Sequence, residues 1–372
     1  MAFNIGIIGI SGYTGLELVK LLINHKFFNL IYIANTSGES TLHTLYPSLI
    51  NVAPNMGVQK IDFSAIKGLD LVFLALPHKE SMGIVPKILE MGVKVVDLSA
   101  DYRLSAENYE AHYCKHSDLL NLKNAVYGLI EWNRKLIKSA NLIANPGCYP
   151  TATLLGLLPF VPHLGDKSVF IDAKSGVSGA GKKLTDNTHF PQINENMFAY
   201  SPFTHRHSIE ISEKCEFFGK KMSEKITSDS RQNSSKDSRQ NLLKDSPKQD
   251  LCKSLKINFV PHLSPFTRGM LVSIFAKVKD GEKKEPLNPL EILRECYANE
   301  PFIRISDNPV SVKNTAGSHF CDIFALANEC DLFVSVAIDN LLRGASSQAL
   351  ACANLALGID EAQGLPNIAY VP

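Results

Sequence analysis

From residue 4 to residue 144 the chain alternates short apolar runs with segments whose apolar residues recur at helical spacing. The runs Asn4–Ile8, Leu30–Ala34, Leu69–Leu74, Lys94–Leu98 and Leu142–Ala144 predict strands, and Tyr13–His25 and Ser81–Met91 predict helices. Strands separated by helices predict a parallel sheet of the α/β class. The middle of the chain reads differently. Longer strands are predicted at Ser168–Lys174, Lys256–Val260 and Met270–Lys279, another at Phe333–Ile338, and helices at Glu210–Lys220 and Asn288–Ala298. A last helix, Leu341–Leu357, carries Ala, Leu and Gln at helical spacing.

Lys221–Lys253 stands apart. It is rich in Ser, Lys, Asp and Gln, and repeats Asp229–Asn233 at Asp237–Asn241. Such a stretch buries too little apolar surface to offset the entropy of ordering it. A mobile surface insertion between a helix and a strand is expected there.

Composition adds bounds rather than a direction. The 372 residues suffice for two domains, and 45% apolar with 20% charged residues is ordinary for a globular enzyme. A net charge of +1 argues against a nucleic-acid partner or a membrane surface. The longest apolar stretch, Ala152–Leu164, is interrupted by Pro159 and Pro162 and is too short to span a bilayer. No basic segment precedes the first strand, so no signal peptide is expected. Eight scattered cysteines without a C-x-x-C pair fit a reducing compartment, and the cytoplasm is the expected location.

The chemistry lies at the ends of the predicted strands. Gly9-Ile10-Ser11-Gly12-Tyr13-Thr14-Gly15 follows the first strand and opens a helix. Glycines there permit a tight turn and close approach of a pyrophosphate, which the helix N-terminus then holds. After the second strand no Asp or Glu stands ready for a ribose 2′-hydroxyl; the hydroxyls of Thr36 and Ser37 would instead meet a 2′-phosphate. Cys148 follows the turn Pro146-Gly147 and precedes a helix expected to start at Pro150. Free N–H groups and the helix dipole there favour a thiolate, and a thiolate on a sharp turn is a nucleophile.

His78 and Arg103 follow strands and are expected to face the ligand crevice. The glycine loop after Ser175, beginning at Gly176, suits an anion or the nicotinamide end of a cofactor. In His205-Arg206-His207-Ser208-Ile209-Glu210, a histidine can act as general acid and base, with Glu210 orienting the His207 ring. The H-x-H pair lacks a third ligand at metal spacing, so no metal is expected.

Nine segments together resemble the N-acetyl-γ-glutamyl-phosphate reductases of arginine biosynthesis. They are GIIGISGYTG (Gly6–Gly15), LALPHKES (Leu74–Ser81), DLSADYRL (Asp97–Leu104), VYGLIEWNR (Val126–Arg134), ANPGCYPTA (Ala144–Ala152), KSGVSGAGKK (Lys174–Lys183), HRHSIEI (His205–Ile211), FVPHLSPFTRG (Phe259–Gly269) and DNLLRGASSQA (Asp339–Ala349). The resemblance spans nearly the whole chain outside Lys221–Lys253. It implies a Rossmann dinucleotide-binding domain, residues 1–147 with 341–372, and an α+β catalytic and dimerisation domain of the semialdehyde dehydrogenase type, residues 148–340. It implies that Cys148 is the nucleophile and His207 the acid/base, and that Asn340 and the loop around Gly176 contact NADP(H). It further implies that Arg103 and Arg268 bind anions, with Asn145, His205 and Glu210 also lining the substrate site, and that the protein is a homo-oligomer, a dimer or tetramer. The chain departs from the pattern in having Ile130 where a proline is common, and no Arg or Lys near Thr36–Glu39. Two other functions remain open at this stage: another phosphorylating semialdehyde dehydrogenase, such as one acting on aspartyl phosphate, and a non-enzymatic NADP-binding sensor.

Overall fold

The structure, a computed structural model, describes residues 2–232, 255–279 and 287–370. Among these residues, the first sheet comprises β1 (Phe3–Ile8), β2 (Phe28–Ala34), β3 (Leu71–Leu74), β4 (Lys94–Asp97), β5 (Val126–Tyr127) and β6 (Leu142–Ala144). The order is β2-β1-β3-β4-β6-β5, all parallel. β3 is buried at every position, as a strand covered on both faces must be, which explains its unbroken apolar run. The chain reverses its direction of travel across the sheet between β1 and β3, which opens the crevice where ligands bind such sheets.

The second sheet comprises β7 (Leu164–Gly176), β8 (Phe198–Ala199), β9 (Lys256–Ser264), β10 (Met270–Val278), β11 (Ile303–Ile305), β12 (Cys321–Ala327) and β13 (Asp331–Ile338). Its order is β8-β9-β7-β10-β13-β12-β11; β9 with β7 and β11 with β12 are parallel, and the other pairs antiparallel.

The helices that matter for the site are α1 (Tyr13–Leu22), α2 (Val85–Glu90), α3 (Ile130–Ser139), α4 (Cys148–Leu157), α5 (His207–Gln232), α6 (Pro289–Cys296) and α7 (Ser347–Ala356). α4 packs Leu154 and Leu155 into a core with Val272, Ile274, Val334 and Val336 of the second sheet. α7 returns to the first sheet, where Ala349, Leu350 and Ala353 share a core with Ile5, Ile7, Leu18 and Phe73. No helix among the described residues is long and apolar enough to cross a membrane.

Several predicted bounds shift for local reasons. α1 stops at Leu22, and the His25 ring turns back to stack on Phe28 at 4.1 Å. The helix expected over Ser81–Met91 begins as a 3₁₀ turn, Ser81–Gly83, and becomes α-helical only as Pro86 enters a first turn, the place where a proline costs no hydrogen bond. The last helix opens with a π turn, Leu342–Ser346. α5 begins at His207 rather than Glu210 and runs to Gln232, so the start of the polar segment continues a helix instead of leaving it. The remainder of the expected insertion, 233–253, lies outside the described residues.

Candidate active site

Cys148 is the first residue of α4, with Gly147 as its N-cap, two residues earlier than the expected start at Pro150. Burial pushes the thiol up to about 11, against the backbone N–H groups of Tyr149 and Cys148 and the charge of Arg103, with Glu210 adding to the rise. The expectation of a resting thiolate is therefore corrected. Every later residue of α4 is buried, so the dipole at its start is outweighed by desolvation of the sulfur.

His207 opens α5. The turn before it holds Ser201 (φ 45°) and Phe203 (φ 60°) in left-handed conformations, and His207, which follows it, lies against Gly147. A Cβ placed on Gly147 would lie 2.6 Å from His207 Nε2 and 2.9 Å from Arg103 Nη1. Only a glycine before Cys148 admits both groups. The His207 ring meets Tyr149 edge-on at 5.8 Å and His205 at 4.9 Å. Desolvation holds its pKa well below the usual value, helped by His205, Arg103, His78 and Arg206. The imidazole beside the neutral thiol is thus itself neutral.

Glu210 does not orient that ring, which corrects the second expectation. It accepts hydrogen bonds from the Gly147 N–H (3.0 Å), the Tyr127 hydroxyl (2.8 Å) and Arg103 Nη1 (3.2 Å). His207 Nδ1 is buried and has no hydrogen-bond partner among the described residues. Glu210 is a brace under Gly147, and the His207 ring packs against Tyr149 and His205.

The two arginines expected to bind anions are already engaged. Arg103 is 5% exposed and donates to the carbonyls of Asn145 (2.8 Å) and Leu98 (2.7 Å) besides Glu210, leaving two N–H groups over. Arg268 forks onto Asp339 (3.0 and 3.1 Å) and reaches Glu17 of α1 at 2.7 Å. Its charge is answered by two carboxylates and clasps the second sheet to α1; to hold a substrate anion it would have to leave them. Arg206, singled out by no sequence argument, is the contrast. It is exposed, sits over the Tyr113 ring at 5.0 Å and, among the described residues, has no carboxylate partner. Tyr113 in turn meets His78 edge-on at 5.5 Å. His78 accepts from the Ala100 N–H at 3.0 Å, and burial with the Arg103 charge pushes its pKa down to about 3. Burial likewise pushes His205 down to about 4, and its Nδ1 accepts from the His207 N–H at 3.2 Å.

Asn145 donates to the carbonyls of Pro146 (3.3 Å) and Ala345 (3.2 Å), while its buried Oδ1 has no partner among the described residues. Ala345 belongs to the π turn, and the same turn touches two more parts of the site. A Cβ on Gly344 would lie 2.6 Å from Cys148 Cβ, and Ser346 Oγ donates to Thr14 O at 3.0 Å. Asn340 uses both ends of its amide, accepting from Gly269 N–H (2.7 Å) and donating to Ser178 (3.0 Å). This pins the loop that starts at Gly176, whose own Cβ would strike the carbonyls of Phe266 and Thr267 at 2.8 Å.

The glycine loop divides into two kinds of glycine. Gly9 (φ 96°) and Gly15 are required by the chain itself, since a Cβ would lie 2.3 Å from Ala75 O and 2.6 Å from Gly9 O. Gly12 has nothing nearer than 3.8 Å. α1 starts there with no side-chain cap and no acidic residue in its first turn, so its N–H groups fit a pyrophosphate. Ser11 Oγ accepts from Asn35 at 3.0 Å, tying this loop to the end of β2, where Thr36 and Ser37 are exposed. Tyr13 is also partly exposed beside Thr14.

Known proteins match this chain along nearly its whole length. The semialdehyde dehydrogenase NAD-binding domain model matches residues 4–140, and the semialdehyde dehydrogenase dimerisation domain model matches 148–229 and 244–340. An N-acetyl-γ-glutamyl-phosphate reductase of Wolinella succinogenes is 55% identical, covering 99% of this chain and 98% of that one. The relative of the same name from Campylobacter curvus is 50% identical over 99% and 98%, and that from Methanococcus vannielii 39% identical over 97% of each. Among solved structures, aspartate semialdehyde dehydrogenase II of Vibrio cholerae superposes with a TM-score of 0.67 at 16% identity, covering 96% of this chain and 99% of that one. The Candida albicans enzyme solved with NADP gives 0.64 at 13% identity, over 95% and 98%. At such identities these two speak for the fold alone.

Proposed function

The chain belongs to the semialdehyde dehydrogenase family, among the N-acetyl-γ-glutamyl-phosphate reductases, and from that premise we propose that it reduces N-acetyl-γ-glutamyl phosphate to N-acetylglutamate 5-semialdehyde and phosphate, with NADPH as reductant. The observation that carries this reading is the convergence of Cys148, His207 and Arg103 on Gly147 at the start of α4.

Thiol and imidazole both rest neutral, so the Cys148 proton passes to His207 as the sulfur attacks the acyl carbon. The N–H groups of Cys148 and Tyr149, together at the helix start, hold the oxyanion of the tetrahedral adduct. The C–O bond to phosphate breaks, phosphate leaves with the proton from His207, and Cys148 is left as a thioester. When bound, the nicotinamide supplies the hydride that reduces the thioester carbon. The same N–H groups hold the oxyanion of the thiohemiacetal. As the C–S bond breaks, the aldehyde leaves and a solvent proton relayed by His207 restores the thiol. The covalent intermediate splits one difficult reduction into two easier steps.

Placement supports the remaining assignments of this reading. Gly9, Ser11, Gly12, Tyr13, Thr14 and Gly15 take the dinucleotide, Thr36 and Ser37 its adenosine end, and Gly176 with Asn340 shapes the wall facing the nicotinamide. Asn145 Oδ1 and His205 meet the substrate, Arg103 offers its two spare N–H groups, and Glu210 supports rather than touches it. Glu210 is occupied by three donors, so it is not available to a free amino group; an uncharged N-acetyl group suits such a site better. The two-domain division, 1–147 with 341–372 and 148–340, is supported by the return of α7 to the first core. Homo-oligomer formation, as a dimer or tetramer, is supported by a cross-strand row on the outer face of the second sheet. There Phe170 pairs with Phe275, Phe275 with Phe333 and Phe333 with Leu326, and Phe170, Phe275 and Leu326 are exposed. A cytoplasmic setting suits the described cysteines, all free thiols.

The test is phosphate-dependent NADP reduction with N-acetylglutamate semialdehyde and with aspartate semialdehyde. Strong preference for the acetylated substrate in kcat/KM is expected, and comparable values overturn the assignment.

A further inference from the structure

We propose that Lys60 is the cation that binds the 2′-phosphate of the adenosine ribose, and through it the chain selects NADP(H) over NAD(H). This role rests on NADP(H) being the cofactor. The sequence around Thr36–Glu39 offers no Arg or Lys for the task, but the fold brings one from elsewhere. Gln59 forms a parallel bridge with Ala34 at the end of β2, accepting from the Asn35 N–H and donating to Ile33 O, both at 3.0 Å. Tyr32 fixes the next residue by donating to Lys60 O at 3.2 Å. The backbone of Lys60 therefore lies beside the loop that follows β2, on the flank where the adenosine end of a dinucleotide is held.

Gly38 marks the close approach. It has φ 69°, and a Cβ on it would lie 3.1 Å from both Lys60 Cγ and Lys60 N. The glycine leaves room for the lysine stem to cross the loop. Beyond Cγ the ammonium has three more bonds of reach. Lys60 is exposed, and its ammonium is in no ion pair among the described residues.

The rest of the loop is built against a 2′-hydroxyl and for a phosphate. Asn35 stands where an acidic residue would accept from the hydroxyl. Its Oδ1 already accepts from the N–H groups of Ser37 (3.1 Å) and Gly38 (2.7 Å) and from Ser37 Oγ (3.2 Å). Thr36 adds a hydroxyl donor, and Lys60 supplies the compact charge with three donors that a phosphate takes well. Glu39 follows on the same loop, so without Lys60 the local charge would repel the ligand.

The test compares 2′,5′-ADP with 5′-ADP, which differ only in the 2′-phosphate, by calorimetric titration of the full chain. Wild type is expected to bind 2′,5′-ADP the more tightly. Lys60→Gln is expected to lose about tenfold to a hundredfold for 2′,5′-ADP, the range for a charged hydrogen bond, while 5′-ADP binding stays within about twofold and reports an intact fold. Lys60→Arg is expected to keep most of the preference. The wild-type preference is expected to narrow with added salt, and that of Lys60→Gln to change little. A Lys60→Gln protein that keeps the wild-type ratio overturns the role of Lys60 and leaves NADP(H) standing as cofactor. A wild type that binds the two nucleotides equally overturns both.

Discussion

Replacing Gly344 by alanine presses one methyl group directly against Cys148. The new Cβ would lie 2.6 Å from Cys148 Cβ, 3.1 Å from its Cα and 3.4 Å from Asp339 O. Carbon atoms in contact sit about 3.5–4.0 Å apart, so roughly 1 Å must be opened between the π turn and the start of α4. The π turn is held on both sides of Gly344. Arg343 is bonded to His319 at 2.7 Å and to Glu131, and Ser346 to Thr14 O at 3.0 Å. Cys148 is the first residue of its helix and the contact falls on its Cβ and Cα, so its side chain is the part that moves. A displacement of about 1 Å in a reacting group is enough to cost on the order of 10²-fold in rate, and the overpacking itself costs about 1–3 kcal/mol of stability. Steady-state kcat is expected to fall about 100-fold, while titration with 2′,5′-ADP gives a Kd within about twofold of wild type because the glycine loop is not displaced. Gly83→Ala is the control, since Gly83 has nothing within 4 Å and its kcat is expected to stay at the wild-type value. A Gly344→Ala enzyme that keeps kcat within about threefold would show that the contact does not position the thiol.

Three further outcomes follow from the electrostatics of the site. Because burial pushes Cys148 up to about 11, its alkylation by iodoacetamide in ligand-free enzyme should keep accelerating from pH 7 to pH 9; a plateau near pH 7, read by mass spectrometry, contradicts this. Glu210→Gln strips Arg103 of its buried counter-charge and should cost about 3–5 kcal/mol in urea denaturation; it also removes a carboxylate that raises the Cys148 thiol, so alkylation at pH 8 should quicken, and an unchanged rate would dissociate Glu210 from the thiol. His207 and His319 both have pKa values held well below 6.5 by burial. Above pH 6.5 neither folded nor unfolded chain protonates them, whereas below it the unfolded chain takes up the protons first. Each should therefore remove about 1.4 kcal/mol of stability at pH 5.5 relative to pH 7.5, and a His319→Asn variant with an undiminished acid limb would refute its share.

The elements that the sequence reveals are those with a long alternating pattern or an unbroken apolar run. β1, β2, β3, β4, β6, β7, β9, β10 and β13 all overlap predicted strands, and the glycine loop falls between β1 and α1 as its spacing demands. β5 and β8 have two residues each, too few for alternation to register, and β11 is Ile-Arg-Ile, whose exposed arginine breaks the apolar run that marks β6 at the same length. β12 hides for another reason. Its first five residues are all buried, so Asp322 sits inside an otherwise apolar run, and it is tolerated there because Arg304 pairs with it at 2.6 Å. That Cys148 heads a helix was legible from Pro146-Gly147-Cys148, but its protonation state was not. The dipole of a helix start is a local property, whereas desolvation depends on what the rest of the chain lays over it, here the π turn contributed from nearly two hundred residues further on.

The same distinction explains why Arg103 and Arg268 read as anion binders and sit as braces. Each follows a strand or turn that opens on the crevice, and sequence position goes no further than that. A guanidinium withdrawn from water must be paired, because an unpaired buried charge costs far more than any ligand contact returns while the site is empty. The partners that satisfy this requirement are remote in sequence: Glu210 lies 107 residues from Arg103, and Glu17 and Asp339 lie 251 and 71 residues from Arg268. Buried cations are therefore the ones whose charge is most often already spent, and anion sites are better sought among cations that the fold holds near the crevice yet leaves without a carboxylate. Arg206 over Tyr113 and Lys60 beside Gly38 meet that description. Arg206 lies between His205 and His207 in the chain, and Lys60 lies beside the loop that follows β2, so a substrate anion and a dinucleotide phosphate would each have a separate cation to meet.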